Sequence, residues 1–308
     1  GLDDVLVASP DGRHEYGSTI PDGTTCGNTE NRQKIGTVHL YLGSSGTLPT
    51  TSDWQETGAS GSCFGYAVSA AGDVNGDGFD DVIIGAFLDG WNDDSKPDLG
   101  RAYLYRGTNG GLEPSPSWSR TWPEPTEPAI FGRHVAGAGD VNGDGYDDVL
   151  VWGRGFGEGL DEYVYLYLGS SNGLSTSYDD KIRTYNEQGT GLDNVRTPVA
   201  IVGDGNADGY DDVVVTVEED SSSGLPPEVR FYHGNAAAQF QPTAAWREKS
   251  LTVQRGFALS SAGDVDDDGY DDLVLATDQS QVFVYHGGEN PTPTASRLTI
   301  TTDRLTPV

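Results

Sequence analysis

The 308-residue chain reads as an all-β protein, a β-propeller of four-stranded antiparallel blades, on three observations. An acidic string recurs four times: "GDVNGDGFDD" from Gly72, "GDVNGDGYDD" from Gly139, "GDGNADGYDD" from Gly203 and "GDVDDDGYDD" from Gly263. Its last Asp falls at Asp81, Asp148, Asp212 and Asp272, and Asp4 aligns with these, giving spacings of 77, 67, 64 and 60 residues, a period typical of propellers and other repeat arrays. Between the copies lie short β-branched runs and glycine-rich turns without helical periodicity, and 43 glycines with 15 tyrosines fit a turn-rich β protein.

Each repeat is expected to supply four strands. Strand A precedes the acidic string, as in "FGYAVSAAGD" and "FGRHVAGAGD", with Val68, Val135, Val199 and Leu259 five residues before its first Asp. Strand B is the run that follows: "DVIIGA", "DVLVWG", "DVVVTV" and "DLVLAT". Strand C is "VHLYLG", "AYLYRG", "VYLYLG", "VRFYHG" or "VFVYHG", ending in glycine turns suited to tight hairpins. Strand D carries Trp54, Trp118 or Trp246, expected to pack between neighbouring blades. About five units are visible within one domain spanning 1–308, at approximately 1–60, 61–127, 128–191, 192–251 and 252–308. The first unit is incomplete, because "GLDDVLVA" aligns with only the second half of an acidic loop and strand B. A five-unit ring, a trimmed piece and a ring completed by further residues all remain open, as does an exposed edge that pairs with another chain.

The acidic string has Asp at position 1, Asn or Asp at 3, Asp at 5, Gly at 6, an aromatic at 7 and Asp at 9. Carboxylates that close repel unless a cation sits among them. The spacing suits a hard ion taking oxygens from alternate positions, with the main-chain carbonyl at 7 and the closing carboxylate at 9, and calcium is the natural occupant. Gly78, Gly145, Gly209 and Gly269 stand where the loop turns sharply. A helix-flanked calcium loop would need an acid at position 12, where this chain has Ile84, Val151, Val215 and Leu275, so the loops are expected to join strands. A solvated acidic turn without metal is the competing reading, and four copies in register weigh against it.

The repeat resembles the FG-GAP type of the N-terminal propeller of integrin α subunits, of fungal and bacterial propeller lectins and of many bacterial surface proteins. Phe64-Gly65 and Phe131-Gly132 match the first half of the motif and Gly85-Ala86 the second, whereas Val195-Arg196 and Arg255-Gly256 depart from it. The resemblance implies calcium ligands at Asp73, Asn75, Asp77, the Phe79 carbonyl and Asp81, and at Asp140, Asn142, Asp144, Tyr146 and Asp148. It implies a third set at Asp204, Asn206, Asp208, Tyr210 and Asp212, and a fourth at Asp264, Asp266, Asp268, Tyr270 and Asp272, hence about four ions.

The formal charge of −30 disfavours nucleic acid and anionic membrane as partners, even with four calcium ions bound. No apolar stretch approaches the ~20 residues of a membrane helix. The absence of Met and of a signal peptide reads as a processed or trimmed product, and loops of this kind fill readily at extracellular calcium, so secretion or the cell surface is expected. Recognition of a glycan or extracellular protein is assigned to the variable B–C connections, opposite the calcium loops, with Trp91, Trp152, His14 and Tyr16 as candidate contacts. Cys26 in the long first B–C loop and Cys63 before strand A are read as a disulfide, two free buried thiols being the alternative.

No zinc-spaced His cluster, nucleophile elbow or Cys-His arrangement is present, which favours a binding module over an enzyme. Two alternatives stand: a polysaccharide-active, lyase-like propeller, favoured by a non-repeating cluster of Lys, His and Tyr, or a structural segment of a larger surface protein.

Overall fold

The computed structural model describes residues 4–9, 36–43, 49–90, 99–124, 128–156, 162–184, 199–217, 228–240, 244–248, 257–277, 282–289 and 295–296. Every described element is a strand. The first sheet holds β1 (Val5–Ser9), β2 (Thr37–Tyr41) and β3 (Trp54–Thr57). The second holds β4 (Ala67–Gly72), β5 (Asp81–Ala86), β6 (Arg101–Tyr105) and β9 (Trp118–Thr121), with a small hairpin of β7 (Gly107–Thr108) and β8 (Gly111–Leu112) before its last strand. The third holds β10 (Ala129–Gly139), β11 (Asp148–Gly155), β12 (Glu162–Tyr167) and β13 (Asp180–Arg183). The fourth holds β14 (Val199–Gly203), β15 (Asp212–Val217), β16 (Glu228–Tyr232) and β17 (Trp246–Glu248), and the fifth β18 (Phe257–Gly263), β19 (Asp272–Thr277), β20 (Val282–Tyr285) and β21 (Ala295–Ser296).

The sheets are sequential antiparallel meanders, and four of them have four strands, as the repeat predicts. Among the described residues the first sheet has three strands, with β1 outermost and Val7 46% exposed. Strand B is buried on both faces in the second and third sheets, which explains its unbroken β-branched run. At the end of strand A the register shifts between Ala70 and Gly72, Ile201 and Gly203, and Ser261 and Gly263. These bulges turn the chain into the acidic loop.

The sheets group into two compact units, the first three in one and the last two in the other, with residues 138–144 grouped with the second. In the first unit, Val38, Leu40 and Trp54 pack against Val82, Ile84 and Tyr105, and Ile83, Leu104 and Trp118 against Val149, Tyr165 and Tyr167. In the second, Val214, Val229 and Phe231 pack against Leu275, Phe283 and Tyr285. The recurrent tryptophans serve these layers. Trp54 meets Tyr105 at 5.1 Å between ring centres, Trp118 meets Tyr167 at 4.9 Å and Trp246 meets Tyr285 at 5.2 Å, each pairing strand D with strand C of the following sheet. The first two also donate their indole N–H to the following sheet, to the Glu113 and Ser175 carbonyls.

Trp152 corrects an expectation. It is fully buried, donates Nε1–H to Glu162 at 3.2 Å and packs edge-on to His134, so it is a core residue and not a surface for a sugar. Val164 stands opposite it on the ladder, and a large indole there is stabilised by burial. His233 and His286 follow strand C by one residue instead of lying on it. Trp91, His14, Tyr16 and Cys26 lie outside the described residues, as does "SRLTITT" beyond Ser296; Cys63 is buried with φ 56°.

Candidate metal centres

Each acidic loop folds by turning backbone N–H groups onto its own side chains. In the first, Asp73 accepts from Asp77 N at 3.0 Å and Gly78 N at 2.7 Å, Asn75 accepts from Asp77 N at 3.2 Å, and Asp77 accepts from Phe79 N at 3.1 Å. The third repeats this through Asp204, Asn206 and Asp208, and the fourth through Asp264 and Asp268. Asp140 and Asn142 likewise accept from Asp144 N, both at 3.0 Å. The glycine at position 6 sits near φ +90° in every copy, a region that side chains with a Cβ avoid.

This wrap draws the side-chain oxygens of positions 1, 3 and 5 together. In the fourth loop, carboxylate oxygens of Asp264, Asp266 and Asp268 lie within 4.8 Å of one another. Like charges at about 4 Å cost ~1–4 kcal/mol per pair near a protein surface. Two calcium–oxygen bonds of ~2.4 Å span that separation, and an all-oxygen donor set suits a hard cation, so these residues fit calcium.

The Asp at position 9 has two tasks. It is fully buried in all four copies. Asp81 accepts from Gly107 N at 2.8 Å and Val74 N at 3.2 Å, Asp212 from Gly234 N and Gly205 N, and Asp272 from Gly287 N and Val265 N. Asp148 takes Gly169 N at 2.8 Å. The carboxylate thus ties the acidic loop to the end of strand C. Asp4 makes the same bond, to Gly43 N at 2.7 Å, so the alignment of Asp4 with position 9 is geometric as well as sequential. Burial pushes the Asp81 carboxyl up to about 6 despite its two backbone donors, with Asp77 and Asp73 adding to the rise. A cation in the loop reverses that cost.

Sequence reasoning left position 8 without a role. Asp147 Oδ2 accepts from Asp73 N at 2.7 Å while Asp147 N donates to the Asp73 carbonyl at 3.3 Å. Asp211 treats Asp140 in the same way, and Asp271 treats Asp204. Position 8 is therefore a clamp on position 1 of the preceding loop, and the signal for it was the Asp-Asp pair closing every copy. Also missed were the histidines after strand C. His233 Nδ1 lies 2.8 Å from Asn206 Nδ2 and 3.2 Å from Asp212, and His286 Nδ1 lies 3.1 Å from Asp266 and 3.5 Å from Asp272. The hydrogen bond to Asp212 raises the His233 pKa.

A second cluster lies in the third sheet. Lys181 pairs with Glu124 and stands over the rings of Tyr163, at 4.2 Å, and Tyr178, at 5.3 Å, while Tyr165 donates to Glu124. The Lys181 pKa is raised, its desolvation being outweighed by Glu124, and burial raises that of Tyr165. Both side chains hold their protons more tightly than usual, the opposite of what a general base at neutral pH requires.

With this geometry in hand, comparison with known proteins places residues 64–105 and 131–167 as FG-GAP repeats. The chain is 42% identical to mouse integrin alpha-E over 98 residues, 32% of this chain and 8% of that protein. It is 31% identical to integrin alpha-4 of Xenopus laevis over 155 residues, half of this chain and 14% of that one. The chain therefore spans only a small part of the length of these relatives. Among solved structures, the rhamnogalacturonan lyase YesW aligns over 92% of this chain and 60% of its own at 15% identity, with a TM-score of 0.42.

Proposed function

We propose that this chain, which carries FG-GAP repeats, is a calcium-stabilised binding module working outside the cell, with a glycan or an extracellular protein as its ligand. The observation that carries the reading is the repeated loop plan: inward-turned oxygens at positions 1, 3 and 5, closed by a buried Asp tied to strand C. About four calcium ions, one per complete loop, neutralise these carboxylates and hold the blades in the shape that presents their B–C connections. The integrin alpha relatives support the extracellular placement. A bridge between Cys26 and Cys63 would pin the first B–C connection, and 1–308 would form one domain of five units. Against a lyase-type reaction stands the Lys181 cluster, in which Lys181 and Tyr165 hold their protons more tightly than usual.

The test is a glycan and matrix-protein array probed with calcium and again with EDTA. Binding that disappears on chelation and returns with calcium supports the reading. Ligand capture indifferent to EDTA, or no capture on any surface, overturns it.

A further inference from the structure

A cleft of about 290 Å³ opens at the acidic-loop end of the second and third sheets, between the connection that leaves β6 and the one that leaves β12. Arg106 and Arg120 line it together with Ser117, Ser119, Asn172 and Thr176, and none of its lining residues is an acid. In a chain with 48 acidic residues against 18 basic ones, an acid-free recess holding two arginines departs from the general charge.

Both guanidiniums are held by neutral partners. Arg106 Nη2 donates to the Asn172 carbonyl at 2.9 Å, and its Nε is buried with no hydrogen-bond partner. Arg120 Nε donates to the Thr176 carbonyl at 2.7 Å and Nη1 to the Ser119 carbonyl at 2.6 Å, while its Cζ stands 5.5 Å over the Trp118 ring. Carbonyls fix orientation without cancelling charge, so each side chain keeps its full positive charge and part of its five-donor fork. Asp179, on the same turn as Thr176, is already engaged by Leu168 N. Two oriented forks and neighbouring hydroxyls supply donors from several directions, which suits a tetrahedral oxyanion better than a flat carboxylate. The volume lies near the lower end of the ~300–1,000 Å³ typical of small-molecule sites, enough for a sugar-sized unit carrying the anion. Arg120 covers the Trp118 face, so recognition rests on charge and hydrogen bonds and not on ring stacking.

We infer that this cleft binds the sulfate or phosphate ester of a saccharide unit. The site goes beyond the function proposed above, because it lies beside the acidic loops and not among the B–C connections. Calorimetric titrations in calcium-containing buffer with glucose 6-sulfate, glucose 6-phosphate, glucuronate and glucose test it. One or both esters are expected to bind, the stronger naming the source of the oxyanion, with glucuronate weaker and glucose silent.

Thr176→Glu, at an exposed position whose side chain makes no tie across the cleft, is expected to weaken ester binding at least about tenfold by placing a carboxylate against Arg120. Thr176→Val leaves it unchanged, and Arg106→Gln and Arg120→Gln each weaken it, melting curves being recorded alongside. Ester binding that survives Thr176→Glu in a normally melting protein, glucose binding as tightly as its esters, or no heat from either ester at 10 mM (about the weakest useful affinity) overturns the inference. Failure here with a calcium-dependent array result leaves the proposed function standing.

Discussion

The first three acidic loops and the fourth share one internal wrap and differ in what lies beyond it. A Cβ added at Gly72, Gly139 or Gly203 would meet Asp147, Asp211 or Asp271 at 2.0–2.1 Å, because the position-8 carboxylate of the following loop presses on that backbone. At Gly263 the same Cβ would meet nothing within 4 Å among the described residues, although its φ of +63° belongs to the same left-handed region. The lesson is that one local sequence gives two mechanical situations. A loop followed by another is clamped from outside, and among the described residues the last loop meets no such clamp.

Chelation is the harshest way to probe this difference. At millimolar calcium and dissociation constants of ~10⁻⁴ M, each loop gains about 1.4 kcal/mol from its ion, or roughly 5–6 kcal/mol over four. EDTA is therefore expected to shift the denaturation midpoint strongly, and a midpoint that stays put would remove the metal from the account. Hydrogen exchange under chelation sharpens the contrast, with amides of Asp264–Asp272 expected to lose protection before those of Asp73–Asp81.

Glycine replacement isolates the clamp. Gly72→Ala is expected to cost about 2–4 kcal/mol, combining the left-handed strain with displacement of Asp147, whereas Gly263→Ala pays only the strain, about 1–2 kcal/mol. Equal losses in urea denaturation would mean that the close approach carries no energy. A smaller effect separates Asp147→Ala, which strips the acceptor from Asp73 N and should cost about 1–3 kcal/mol, from Asp80→Ala at the exposed first position 8, expected within about 0.5 kcal/mol of zero.

The mildest contrast is in pH. The folded Asp81 carboxyl sits at about 6, above the ~3.9 of an unfolded chain, so its ionised form is disfavoured by folding. In EDTA, stability should rise as pH falls from 7 through 6 toward 4, as the proton takes the cation's place. With calcium present the trend should reverse, since protons then compete with the metal. Denaturation midpoints at pH 7 and 5, with and without EDTA, read both signs.

Much of the fold was legible because its determinants are local. The β-branched run after each loop reads as a strand, buried on both faces in the second and third sheets, and Asp4 could be placed at position 9 with most of its loop missing, which the Gly43 bond now explains. Trp152 was misjudged for the reverse reason. Its departure from the glycine found in the preceding repeat gave no hint of Glu162 and His134 across the sheet, and these decide that it is core.

By itself, the sequence determined the four-stranded repeat and the turn of each acidic loop, because side-chain alternation and the spacing of carboxylates around a glycine act over fewer than about ten residues. Tertiary structure alone decided that Asp147 clamps Asp73, that Trp118 meets Tyr167, and that Arg106 and Arg120 share one acid-free cleft. The clamp and the ring pair join residues some fifty or more positions apart, and the cleft is walled by two successive sheets. Such contacts depend on how those sheets pack, which no short-range pattern encodes.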